Sequence, residues 1–152
     1  MSRFELDGTF TQDQIPDIRR FVERLHRWIP DRDLHSRIAM ATHELFENAV
    51  KFASDKLVQL SIDVERGGTI FIRITTKNRA RPSDLKELAE MRARLHEASD
   101  MMTFYIEMMR RSPMNKAGGL GLGRVAAEAE MKLDLLLELD VVTINAELEV
   151  AA

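Results

Sequence analysis

Twice along this chain of 152 residues an apolar side chain falls on every second position, and each time the alternation resumes after a short break. In "LVQLSIDVERGGTIFIRITT", Val58, Leu60, Ile62 and Val64 alternate with Gln59, Ser61, Asp63 and Glu65. "RGGT" supplies a tight turn, and Ile70, Ile72 and Ile74 take the pattern up again. In "KLDLLLELDVVTINAELEV", Leu133, Leu135, Leu137 and Leu139 are followed by Val142, Ile144, Ala146 and Leu148. A period of two sends successive side chains to opposite faces of a strand, so each stretch reads as a pair of strands with one apolar face. Such a face must be covered by a second layer.

The segments around these pairs have a helical period. In "TQDQIPDIRRFVERLHRWIP", Ile15, Ile18, Val22, Leu25 and Ile29 share one face, Pro16 fits a first turn, and Pro30 ends the helix. A second helix is expected from about Leu34 to Ala53, burying Ile38, Ala41, Leu45, Ala49 and Phe52. After Pro82, Ser83 is the expected N-cap of a third, lined by Leu85, Leu88, the stem of Arg92, and Leu95. Asp100 is expected to cap a fourth through "MMTFYIEMMRR", closed by Ser112 and Pro113. "MNKAGGLGLG" reads as a glycine-rich loop before a helix from about Leu122 to Met131. The expectation is a single α+β domain over residues 1–152. It would be a two-layer α/β sandwich, with helices on one face of a mainly antiparallel mixed sheet.

Composition narrows the chemistry. Apolar and charged fractions of 45% and 31% are those of a soluble globular protein. Without cysteine there is no disulfide, zinc-thiolate site or thiol nucleophile. A net charge of −3 gives no overall pull toward nucleic acid or acidic membranes. "MSRFELDGTF" lacks the apolar run of a signal peptide, and no stretch reaches membrane-spanning length, so a cytoplasmic protein is expected.

Within the second helix, "HELFENAVKFA" places Glu44, Asn48 and Lys51 at i, i+4 and i+7, on one side of the helix beside its apolar face. Alone, this is an ordinary solvated face, with Glu47 and Lys51 in a helix-supporting pair. "HELFE" begins like a zinc-peptidase motif but has Glu47 where the second histidine is required. His26, His35 and His96 have no ligand spacing. "GGLGLG" lacks the third glycine of a dinucleotide fingerprint, since Arg124 occupies its place, and no Lys-Ser/Thr follows as in a Walker loop. Gly118, Gly119, Gly121 and Gly123 still crowd the start of a helix. They admit two readings: close helix packing beside a flexible loop, or a backbone cradle for an anion, with Lys116 and Arg124 adding charge.

Taken together, "ExxxNxxK" on a helix, a hairpin, a connecting region and "GLGL" opening a helix before terminal strands resemble the GHKL, or Bergerat-fold, ATPase superfamily. The resemblance runs from Leu34 onward. It is nearest to the stand-alone anti-sigma-factor serine kinases and partner-switching regulators. It implies the histidine-kinase-like ATPase fold, bound ATP and Mg²⁺, and phosphorylation of a serine or threonine on a STAS-domain partner. Glu44 would be the general base, Asn48 a Mg²⁺ ligand, and Lys51, Lys116, Gly119, Gly121 and Gly123 would attend the phosphates. These residue types suit that work: a carboxylate to accept a hydroxyl proton, and a neutral oxygen for a hard cation. A homodimer is left open.

The first glycine box departs from the family's pattern. The family has an adenine-reading Asp followed by glycines. Here "ITTKNRARPSD" has Thr76 about where the Asp should stand, Asn78 as another carbonyl oxygen for the base, and no glycine. The alternative reading is therefore a non-catalytic binding module with weak or no nucleotide binding. Met101, Met102, Met108 and Met109 cluster in the fourth helix and cannot all face one core, so part of that segment is expected to dock a partner.

Overall fold

A computed structural model describes residues 2–111 and 119–151. In chain order the strands are β1 (Ser2–Thr9), β2 (Ala53–Arg66), β3 (Thr69–Ala80), β4 (Lys132–Glu138) and β5 (Val141–Ala151). The helices are α1 (Ile15–Glu23), flanked by short 3₁₀ turns, α2 (Arg32–Phe52), α3 (Pro82–Glu97), α4 (Met101–Arg111) and α5 (Gly119–Ala127). The sheet order is β1-β2-β3-β5-β4, and every pairing is antiparallel. The expected mixed sheet is thus purely antiparallel. Two hairpins meet at β3 and β5, and the helical excursion α3–α5 returns the chain in the opposite direction.

The alternation places the core where the pattern requires it. Val58, Leu60, Ile62 and Val64 of β2 lie buried beside Ile72 and Ile74 of β3 and Val142, Ile144, Ala146 and Leu148 of β5. From the helical layer they meet Ile18, Val22, Ile38, Leu45, Phe46 and their neighbours. Each such side chain contributes about 1.5–3 kcal/mol on burial, so this face decides the register. The other face is polar and carries cross-strand pairs, including Arg73–Glu147 at 2.8 Å and Thr75–Asn145 at 2.7 Å.

Several local expectations are corrected. β1 was not anticipated; it is an edge strand paired to β2, held in register by Arg3, whose guanidinium donates to both oxygens of buried Asp63 at 2.6 and 3.3 Å. Leu139 does not extend β4 but sits in the hairpin turn at φ +57°, 94% exposed. α3 is capped at Arg81 with Pro82 in its first turn rather than at Ser83, and Met91, not Arg92, completes its buried face with Leu88 and Leu95. Asp100 does precede α4 as a cap. It accepts from the Thr103 backbone N–H at 2.7 Å, which holds its carboxyl below the usual carboxylate range.

Candidate functional site

Helix α2 carries the first half of the site. Its start is fixed by Asp31, which accepts from the Leu34 N–H at 2.8 Å. Its apolar stripe Ile38, Ala41, Leu45, Ala49 and Phe52 is buried on the sheet. That seating rotates Glu44 and Asn48 to the boundary of the core: the Glu44 side chain is 16% exposed, and Asn48 is 7% exposed. Lys51, in the last turn, faces solvent.

Helix α5 supplies the second half. The expected loop is helical from Gly119, so Gly121 and Gly123 lie within the helix rather than ahead of it. Its first-turn N–H groups lack intrahelical partners. The glycines also permit close approach on two sides. A β-carbon at Gly121 would lie 2.5 Å from Glu44 Oε2, and one at Gly123 would lie 2.7 Å from Tyr105 Cδ1 and 3.2 Å from Tyr105 Cα in α4. Close helix packing, one of the two readings open for this stretch, is therefore realised here.

Two arginines tie α5 to α2. Arg124 Nη1 donates to Glu44 Oε1 at 2.9 Å, and its Nε donates to Glu128 Oε2 at 3.3 Å. Arg37 sends Nε and Nη2 to the carbonyl of Ala129, at 3.0 and 2.8 Å, just past the end of α5. The Arg37 side chain is 19% exposed. Arg37→Ala is expected to cost about 1.5–3 kcal/mol, the worth of a hydrogen bond to a charged group. Urea unfolding checks this, and a loss below about 0.5 kcal/mol, the range of ordinary surface changes, would show that the tether carries nothing. Sequence reading had no signal for Arg37, whose partner is a backbone carbonyl 92 residues away.

Among the described residues the buried polar side chains form a short series: Thr42, Asn48, Asp63, Thr76 and Asn78. Thr42 donates to the Ile38 carbonyl, Asp63 accepts from Arg3, and Asn78 Nδ2 donates to the Arg79 carbonyl at 3.2 Å. Among the described residues, Asn48 Oδ1 and Thr76 Oγ1 are buried with no partner. An unpaired buried polar group costs about 1–3 kcal/mol, so each invites an explanation. Asn48 lies one turn from Glu44, and Thr76 lies on the inner face of β3, against which α2 packs. An orphaned amide oxygen in this position fits a hard divalent cation. Among the described residues no group of three or more His, Asp or Glu gathers to hold a metal. A cation at Asn48 would therefore take its other ligands from water and phosphate oxygens, the habit of Mg²⁺. For the adenine that the resemblance implies, the fit is weaker, because the Thr76 hydroxyl offers one neutral hydrogen bond in place of a carboxylate.

The structure thus brings Glu44, Gly121 and Arg124 together, with Asn48 one turn along α2. Asn78 borders a separate cleft of about 440 Å³ at the end of the sheet, with Asp7, Leu57, Val58 and Lys77. A second cleft of about 440 Å³ opens between α1 and α2, walled by Ile18, Val22 and Met40, with His43, Glu44 and Arg124 at its polar end. Lys116 and Gly118 lie outside the described residues.

Helix α4 divides its methionines. Met108 is buried at 1% and Met101 is partly buried, whereas Met102, Ile106 and Met109 are 54%, 42% and 45% exposed. Their spacing of i, i+4 and i+7 makes one apolar stripe, on a helix that packs against α5. Phe104, in the same helix, is fully buried.

Among the described residues no helix is long and apolar enough to cross a membrane. No protein-family model matches the chain. No curated protein matches it either. Among solved structures it is similar to a chain of the SiaB–SiaC complex from Pseudomonas aeruginosa, with a TM-score of 0.63 and 14% sequence identity. The likeness covers 97% of this chain and 89% of that one, and at this identity it shows a shared fold.

Proposed function

We propose that the chain is a regulatory protein of the anti-sigma-factor kinase type, which binds Mg-ATP and phosphorylates a serine or threonine on a STAS-domain partner. The observation that carries this reading is Asn48 Oδ1, buried with no partner among the described residues, one helical turn from Glu44. Bound Mg-ATP would supply the phosphoryl group and the positive charge that offsets its transfer. Asn48 would hold the cation, the first-turn N–H groups of α5 would receive phosphate oxygens, and Thr76 would meet the base. Glu44 would orient the partner's hydroxyl and accept its proton. Lys51, at the exposed end of α2, would contribute charge alone.

A similar fold occurs in a two-protein complex, which supports a protein partner for this chain. The exposed stripe Met102, Ile106 and Met109 is an adaptable apolar surface with Glu107 and Arg110 beside it, suited to such docking. A second reading, a binding module without turnover, draws support from Arg124 lying on Glu44 and from the missing adenine-reading Asp.

Incubation with γ-labelled ATP and purified STAS-domain proteins separates the two. Labelled serine or threonine on one of them, lost in Met102→Glu/Met109→Glu, is the expected result. Stable binding of such a partner with no label transferred at any nucleotide concentration would favour the non-catalytic module.

A further inference from the structure

We propose that Arg124 caps Glu44 in the free protein, and that a phosphate-bearing anion seated at the start of α5 draws the guanidinium away and frees the carboxylate. This deepens the reading of Glu44 as proton acceptor and rests on it. In the structure one Glu44 oxygen is already taken. Oε1 takes the Arg124 hydrogen bond at 2.9 Å, and Oε2 lies over the bare face of Gly121, where a β-carbon would stand 2.5 Å away.

The cap is built to release. Arg124 is 40% exposed, so its movement strips little water from the charge. It keeps Glu128 as a second partner on its own helix at 3.3 Å, so leaving Glu44 does not strand the guanidinium. The planar fork matches phosphate as well as carboxylate, and a phosphate carries more negative charge with which to compete. A ligand is indicated independently by Asn48 Oδ1, one turn along α2 from Glu44, which is buried with no partner among the described residues. Arg124 is thus a positioning residue: it makes the acceptor carboxylate available only when the anion has arrived. By linkage, an anion that uncaps Glu44 must itself bind more tightly when Glu44 does not compete for the arginine.

The test is calorimetric titration of Mg-ATP and of inorganic pyrophosphate into wild type, Glu44→Gln, Arg124→Met and the double variant. Glu44→Gln is expected to tighten both ligands about threefold to tenfold, and the gain should vanish in the Arg124→Met background. A gain that persists without Arg124 would reduce the effect to plain repulsion by Glu44 and overturn the proposal. So would unchanged or weaker binding in Glu44→Gln. If no variant binds either ligand, the nucleotide reading falls together with the uncapping step, and urea unfolding of the same four proteins decides the cap alone. A true pair gives single losses that do not add in the double variant; additive losses would remove the cap as well.

Discussion

Glu44→Gln is expected to lower phosphoryl transfer to the partner by about 10²–10⁴-fold, the usual worth of a positioned general base. The substitution keeps the shape of the side chain and gives up only the charge that holds Arg124, so the helical layer should persist. On the proposed mechanism, what it removes is the ability to take a proton from the partner's hydroxyl. Single-turnover measurements with the partner saturating isolate this step from docking. Transfer within about threefold of wild type would take Glu44 out of the chemistry. It would leave Glu44 as a structural partner of Arg124.

The largest structural effect is expected at Gly123. A β-carbon there would meet Tyr105 at 2.7 Å from Cδ1 and 3.2 Å from Cα, and the second atom belongs to the backbone of α4 and cannot swing aside. Gly123→Val should therefore cost about 3 kcal/mol, the upper end of the overpacking range, despite the better helix propensity of valine. Gly67 supplies the control: nothing lies within 4 Å of a β-carbon at that position in the β2–β3 turn, so Gly67→Ala should change stability by less than about 0.5 kcal/mol. Urea unfolding of both variants measures the contrast. Equal stability would mean that α4 does not rest on α5 as described. If α4 is displaced but the sheet survives, binding of the partner should weaken along with it, since the exposed methionine stripe moves with the helix.

The strands were legible where burial is one-sided and strong. The inward series from Val58 to Val64 and from Val142 to Leu148 could satisfy only a sheet with one covered face. β1 was hidden because an edge strand needs few apolar residues: Phe4 and Leu6 are only partly buried, and Gly8 interrupts the series. Leu139 misled because its spacing continues the alternation into a turn, where a left-handed backbone ends the strand.

The candidate site was readable in part for a similar reason. The line of Glu44, Asn48 and Lys51 follows from helical geometry alone, and the structure brings the first two to the core boundary. Glycine disfavours helices, so the sequence of this stretch reads as a loop. Here the absence of side chains lets α5 touch α2 and α4, a tertiary fact with no local signature. Likewise, nothing in the spacing of Arg124 shows that it reaches Glu44, 80 residues earlier. Helical spacing also left unresolved which methionines of α4 turn outward; packing against α5 places Met108 inside and leaves Met102 and Met109 outside.

Titration of ATP against wild type and Asn48→Ala, each with and without magnesium, tests the central claim that α2 and α5 frame a metal–nucleotide site. Asn48→Ala removes an oxygen with no partner among the described residues, so the variant should fold as well as wild type. Wild type is expected to bind Mg-ATP weakly. Loss of the charge-assisted bond that an Asp would make to adenine costs about 1.5–3 kcal/mol, or roughly one to two decades in affinity. Magnesium should strengthen ATP binding to wild type and make no difference to Asn48→Ala. Absence of binding by wild type at millimolar Mg-ATP, or an equal magnesium dependence in the two proteins, would contradict the account.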